Sequence, residues 1–254
     1  MTNTRSPQQE ADFRWPEGKR AAISITFDDG RPSQVDRGLP ILDAHGVKGT
    51  FYIGPRSLAA RHEGWRNAVA HGHEIGNHTM THPCSGNFAF ARANALEDFT
   101  LERMEEELTR CNDVIHQALG VRPKTFAYPC AQKFVGRGKT VKSYVPLVAR
   151  HFVVGRGAHD ESHNHPLYCD LAQVYAMGAD GFEFSQIEAL AQNAIGEGGW
   201  LILHGHEVGE GGRQTMLAGA LDELCQYVMD PATGLWADTV AAIGSYIKAA
   251  RKKQ

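Results

Sequence analysis

Two short runs in this chain carry the residue types that hold a metal ion and activate water. Thr26-Phe27-Asp28-Asp29-Gly30 supplies paired carboxylates, and His78-Thr79-Met80-Thr81-His82 supplies two imidazoles four residues apart. Adjacent carboxylates at the end of an apolar run are costly to bury as charges, and a nearby cation relieves that cost. An Asp with two His suits a divalent ion that keeps open positions for water and substrate. The His spacing predicts one face of a helical turn, so that both rings reach one ion.

These groups need elements to position them. The run Arg20 to Phe27 is β-branched and apolar and reads as a buried strand that Gly30 punctuates. Further strands are predicted near Val47 to Ile53, His73 to Gly76, Lys124 to Tyr128, His151 to Val154, Gln173 to Ala176 and Trp200 to Leu203. Leu101, Met104, Leu108, Cys111, Ile115 and Leu119 recur at helical spacing before Gly120, which predicts a core-packing helix over 101–119. Helices are also expected over Thr215 to Met229 and from an Asp238 cap towards Ala250. Strands alternating with helices imply parallel strands joined by right-handed crossovers, and the seven strands suggest a distorted (β/α) barrel. In such a barrel the chemistry belongs at the C-terminal strand ends, where Asp28-Asp29, Tyr128-Pro129-Cys130 and His204 all fall.

The order TFDDG, then Glu74-Ile75-Gly76-Asn77-His78-Thr79-Met80-Thr81-His82-Pro83, resembles the NodB-homology polysaccharide deacetylases, carbohydrate esterase family four. Thr125-Phe126-Ala127-Tyr128-Pro129-Cys130 is similar to that family's third motif and Leu201-Ile202-Leu203-His204 to its last. The resemblance extends from about Arg20 to Ile247 and implies the same distorted barrel. It further implies Asp29, His78 and His82 as metal ligands, Asp28 as general base, His204 as the acid and the Cys130 backbone N–H as an oxyanion donor, with Tyr128 and Pro129 shaping that turn. The ion it implies is zinc, with cobalt, nickel or manganese as alternatives. Three departures stand out: in the third motif Ala127 replaces the usual Arg and Cys130 the usual Tyr, and the fourth motif's Asp-Trp pair is not recognisable. The stretch 155–161 is the candidate substitute, with Arg156 or Asp160 expected to orient Asp28 or His204. The implied activity is removal of N- or O-acetyl groups from a carbohydrate. A cyclic-imide or allantoin-type amidohydrolase and a non-catalytic carbohydrate-binding barrel are the competing readings.

The remaining features narrow the field. The 254 residues are 42% hydrophobic, enough for one large domain over 20–254 behind a polar lead-in over 1–19. A formal charge of −3 with interspersed signs argues against a nucleic-acid partner. No apolar stretch is long enough to span a bilayer, and the polar first residues do not form a signal peptide, so a cytoplasmic protein is expected, with secretion as the alternative if a leader has been trimmed away. The oligomeric state is not encoded legibly. The 5 cysteines are odd in number and scattered, which argues against a disulfide framework or zinc ribbon; Cys111 and Cys225 read as core thiols. His206 is expected to turn to the opposite face from His204 and make a structural hydrogen bond. His159, His163 and His165 are rim candidates. Trp65, Phe88, Phe90 and Tyr144 are expected to pack, with stacking on sugar rings as the alternative. Gly136 to Thr140 is not a phosphate loop, because Lys133 stands where its first Gly is required.

Overall fold

The computed structural model describes residues 13–252. The strands are β1 (Ala21–Phe27), β2 (Gly49–Ile53), β3 (Glu74–Asn77), β4 (Thr125–Ala127), β5 (Phe134–Val135), β6 (Lys142–Ser143), β7 (Val154–Arg156), β8 (Met177–Gly178), β9 (Trp200–Gly205), β10 (Glu207–Gly209), β11 (Thr215–Leu217) and β12 (Leu235–Ala237). Seven of them form a parallel sheet in the order β7-β4-β3-β2-β1-β9-β8, with β12 added alongside β1. The sheet curls back on itself through the segment before β8. Val174 bridges Arg156 of β7, while Met177 pairs with Leu203 of β9. This is the expected distorted barrel.

Alternation divides the strands between two packing faces. Ile23, Ile25 and Phe27 of β1 join Phe51, Leu201 and Leu203 in a cluster that the helices Phe184–Glu197 and Ala218–Met229 cover. Ala22, Trp200 and Ile202 belong to a second cluster closed by Val240, Ile243 and Ile247 of the final helix, Val240–Arg251. Each fully buried aliphatic or aromatic side chain of this kind contributes about 1.5–3 kcal/mol. The final helix docks by its N-terminus on polar groups: Val240 N–H donates to Thr50 Oγ1 at 3.0 Å and Ala241 N–H to Glu74 Oε2 at 2.9 Å. Glu74 also accepts from the Thr50 and Thr125 hydroxyls, so a half-buried carboxylate is satisfied by three elements.

The Leu101–Leu119 helix has the expected bounds, an N-cap in which Thr100 accepts from Arg103 N–H, and Gly120 at φ 73° beyond its end. Several boundaries differ from the sequence expectation. The segment near His151 to Val154 is displaced, because Val145–His151 is helical and the strand begins at Val154. Gln173 ends a short 3-10 turn, and β8 starts only at Met177. Residues 215–217 form β11 before the helix that begins at Ala218, and the last helix is capped by Thr239, whose side chain accepts from Ala242 N–H. Of the lead-in, Met1 to Asp12 lies outside the described residues. Trp15 is buried against Trp236 and Tyr246 and donates to Gly198 O at 2.9 Å.

Candidate active site

Asp29, His78 and His82 converge at the C-terminal ends of β1 and β3, with ligand atoms all within 4.8 Å of one another. Asp29 Oδ1 lies 3.5 Å from His78 Nε2 and 3.3 Å from His82 Nε2. Ligands about 2.0–2.1 Å from a tetrahedral ion stand about 3.3 Å apart, so the two Asp29 spacings match a zinc-sized ion. The outer ring atoms support the same assignment. His78 Nδ1 donates to Ala127 O at 2.9 Å, which leaves Nε2 as the free lone pair. His82 Nδ1 faces Cys84 Sγ at 3.6 Å. Burial, followed by the neighbouring His78, pushes His82 down to about 4, so its ring is neutral and ready to ligate at ordinary pH. Burial alone would raise Asp29, but hydrogen bonds and charge from His78, Arg31 and His82 hold it well below the usual carboxylate range.

The His pair is not on a helical turn. His78 follows β3 directly, and Thr79 (φ 66°) and His82 (φ 52°) take left-handed backbone conformations that fold the loop back. Side chains pin this strained path. Asn77 Oδ1 accepts from Thr79 N–H at 2.8 Å, and Thr79 Oγ1 accepts from His82 N–H at 2.9 Å. Glu107, from the Leu101–Leu119 helix, accepts from both the N–H and the hydroxyl of Thr81 at 2.8 Å. Asn112, on the same helix, accepts from Asn77 Nδ2 at 2.7 Å.

Asp28 is buried and ion-paired to the buried Arg156 guanidinium. Burial alone would raise its pKa; Arg156 first, then His78 and His204, outweigh that and hold it ionised. Arg156 stands in register with Ala127 on the adjacent strand, rests 4.8 Å over the Tyr52 ring, and donates to Gly157 O at 2.7 Å. Thus the guanidinium absent at position 127 arrives from the neighbouring strand at the same level. Asp160 does not share this role. Its Oδ2 accepts from Ala176 N–H at 2.9 Å and ties the 157–160 loop to the segment before β8, away from Asp28 and His204.

Cys130 is disulfide-bonded to Cys84, which corrects the expectation that the cysteines stay unpaired and removes any thiol chemistry there. The bond joins the His-bearing loop to the third-motif turn, where Cys130 has φ 52°. It also removes both sulfurs from a second potential ligand group with His82. Ala131 and Gln132 donate their N–H groups to Tyr128 O and Pro129 O, whereas this turn does not use the N–H of Cys130. Tyr128 is no substrate hydroxyl: its OH donates to Ala172 O at 2.6 Å and its ring packs on Phe126 and Tyr144. Pro129 is buried and begins the turn.

His204 is buried, with its Nε2 3.4 Å from His159 N–H and its Nδ1 without a hydrogen-bond partner among the described residues. Burial and then Arg156 push it down to about 3, so a standing proton on this ring, as expected from the resemblance, is disfavoured. Residues two apart on a strand share a face. His206 accordingly meets His204 edge-on at 5.9 Å rather than turning away. His159 also stacks edge-on with His204, at 5.0 Å, whereas His163 pairs with Glu197 and His165 with the Tyr168 ring.

Asp28, Asp29, His78, His82, Cys130, His159, His204 and His206 line one cavity of about 310 Å³. Phe88 and Phe90 stand at its edge, 5.4 Å apart and exposed, whereas Trp65 and Tyr144 are core residues. Sequence reasoning missed three groups here. Arg31 bridges Asp29 and Glu207, at 2.8 and 3.2 Å. Gln214 contributes to the cavity wall. Asp180 lies 2.6 Å from His206 Nδ1. Arg31 had a signal, a cation two residues after the acidic pair; Asp180 and Gln214 had none.

The family model described as Polysaccharide deacetylase matches residues 16–144. A chitooligosaccharide deacetylase from Bradyrhizobium sp. (strain ANU 289) is 43% identical over 63 residues, 24% of this chain and 29% of that protein. The chain spans less than half the length of other curated relatives as well, among them 5% of a Bacillus gellan lyase. Among solved structures, a putative polysaccharide deacetylase from Mycobacterium smegmatis superimposes with a TM-score of 0.64 at 20% identity, over 93% of both chains. A family 4 acetyl xylan esterase from Clostridium thermocellum, solved with a cobalt ion, gives 0.58 at 20% identity, over 89% of this chain and 91% of that one. No helix among the described residues is long and apolar enough to cross a membrane.

Proposed function

The chain belongs to the polysaccharide deacetylase family, and from that premise we propose that it is a metal-dependent hydrolase removing N- or O-acetyl groups from a carbohydrate polymer or oligosaccharide. The observation that carries this reading is the meeting of three ligand atoms at metal-site spacing beside an ionised, buried Asp28. A divalent ion held by Asp29, His78 and His82, zinc by preference or cobalt, nickel or manganese, supplies Lewis acidity and lowers the pKa of water towards neutrality.

The chain's own residues do the rest. Asp28 takes the proton from the attacking water, and Arg156 keeps that carboxylate ionised and aimed. The Cys130 N–H faces developing charge on the acetyl oxygen; losing one donor of this kind costs about two to three powers of ten in rate. His204 and its neighbour His206 form the wall from which the departing sugar nitrogen or oxygen receives a proton. Phe88 and Phe90 offer apolar faces to the C–H face of a sugar ring.

The test is release of acetate by the metal-supplied protein from acetylated chito- and xylo-oligosaccharides, with succinimide and allantoin scored for ring opening. Release from a sugar class, abolished in Asp28→Asn, is the expected result. Ring opening without acetate release assigns the chain to the imide hydrolases. Silence on every substrate leaves a carbohydrate-binding barrel.

A further inference from the structure

We propose that His206, held by Asp180, is the residue that protonates the leaving group, and that His204 serves as its neutral neighbour. This rests on the deacetylase reading and adds a residue to it. The geometry comes from three strand ends. Phe27 pairs with Gly205, so Asp28 and His206 leave β1 and β9 at the same level, and Asp28 N–H donates to Gly205 O at 2.9 Å. Gly178 of β8 pairs with His204, which brings Asp180, two residues on, alongside His206. Asp180 then grips His206 twice: Oδ1 accepts from the backbone N–H at 3.1 Å and Oδ2 from ring Nδ1 at 2.6 Å. With Nδ1 committed, Nε2 is the atom available to the cavity, where Gln214 Nε2 lies 3.3 Å away.

The contrast with His204 lies in the partners. Among the described residues no carboxylate hydrogen-bonds to His204, and its Nδ1 is buried without a hydrogen-bond partner. At His204 only the charge of Asp28 favours an imidazolium, and burial with Arg156 outweighs it, whereas a carboxylate on Nδ1 is the usual device for orienting an imidazole and stabilising its charged form. The carboxylates whose charge favours a proton on His206 are Asp180, Asp28 and Asp29, while Arg31, Arg213 and His204 line the same cavity. Burial acts against its proton, but these three carboxylates prevail and raise it above the ordinary histidine value.

The proton inventory closes without a further reactant. Water loses a proton to Asp28 as its oxygen bonds to the acetyl carbon. The carbon–nitrogen bond of the acetamide, or carbon–oxygen bond of the ester, then breaks while Nε2–H of His206 passes its proton to the departing atom. Acetate and the free amine or alcohol leave, and the proton held by Asp28 returns to His206 through solvent.

The experiment compares the metal-loaded wild type with His206→Gln, Asp180→Asn and His204→Gln on two substrates. One is an N-acetylated chito-oligosaccharide, whose amine must be protonated to leave. The other is 4-nitrophenyl acetate, whose phenolate leaves unaided. His206→Gln is expected to lose about 10²- to 10⁴-fold in kcat/KM on the amide and to change by less than about threefold on the phenyl ester, a split that misfolding or metal loss cannot produce. Asp180→Asn should move the alkaline limb of the amide pH profile to lower pH. Histidine NMR titration should find the His206 value lowered by the same change, independently of turnover. The assignment is overturned if His206→Gln keeps its amide rate, or if the leaving-group-dependent loss appears in His204→Gln instead. A wild type silent on both substrates fails the deacetylase reading itself, and the assignment with it.

Discussion

The ion pair of Asp28 with Arg156 is the residue-level feature on which the site turns. Both partners are buried, so removing one leaves an uncompensated charge, which typically costs about 3–5 kcal/mol. Arg156→Ala should therefore lower the melting temperature and reduce kcat/KM by about 10- to 100-fold, the range for losing an outer partner of a working group; calorimetry and steady-state rates check both. A second prediction concerns acid. His204 is about 3 in the folded chain, below the roughly 6.5 of an unfolded histidine. Its neutral form therefore contributes stability that is complete above about pH 6.5 and is lost as pH falls towards 3, on the order of 2 kcal/mol by pH 5. The melting temperature of the metal-free protein should fall from pH 7 to pH 5, and the fall should be shallower in His204→Gln. Parallel curves would contradict the assignment of a buried neutral ring. At this scale the sequence was partly legible. Asp28, Asp29, His78, His82 and His204 announce themselves by type and spacing, whereas Asp180 and Gln214 acquire meaning only from strand register, which a single chain does not display.

At the scale of elements, neighbouring strands substitute for one another. Ala127 and Arg156 are direct partners across β4 and β7, so one cavity position can receive its guanidinium from either strand. In the Arg156→Ala background, Ala127→Arg is expected to recover part of the lost kcat/KM, and a double variant no better than Arg156→Ala would count against this exchange. The loop carrying His78 and His82 depends equally on an element remote in sequence, since Glu107 and Asn112 hold it from the Leu101–Leu119 helix. Glu107→Ala should weaken metal binding about 10- to 100-fold in a metal titration while the helix remains. The helix was readable from its apolar stripe, but the pinning contacts were not, because a Glu on an amphipathic helix reads as solvent-facing until its tertiary partner is known. For the same reason the spacing of His78 and His82 suggested a helical turn. Side-chain hydrogen bonds from Asn77 and Thr79 stabilise the positive φ angles that replace it.

Across the whole molecule, a curled parallel sheet delivers every chemical group from a strand end to one cavity. That arrangement was legible from alternating strands and helices. Two long-range closures were not: the bridge from Val174 to Arg156, and the Cys84–Cys130 disulfide across 46 residues, which an odd and scattered cysteine set does not advertise. A cross-link closing a loop of that length stabilises by about 2–4 kcal/mol, so Cys84→Ser/Cys130→Ser should melt several degrees lower. The central claim is that Asp29, His78 and His82 hold an ion on which acetyl hydrolysis depends. Its most direct test is to strip the protein with chelator, count bound metal on reconstitution, and follow acetate release from the oligosaccharide that the wild type turns over. The account predicts one divalent ion per chain, activity that vanishes with chelation and returns with the ion, and neither binding nor activity in His78→Ala. Full acetate release from the stripped protein, or stoichiometric metal retained by His78→Ala, would contradict it.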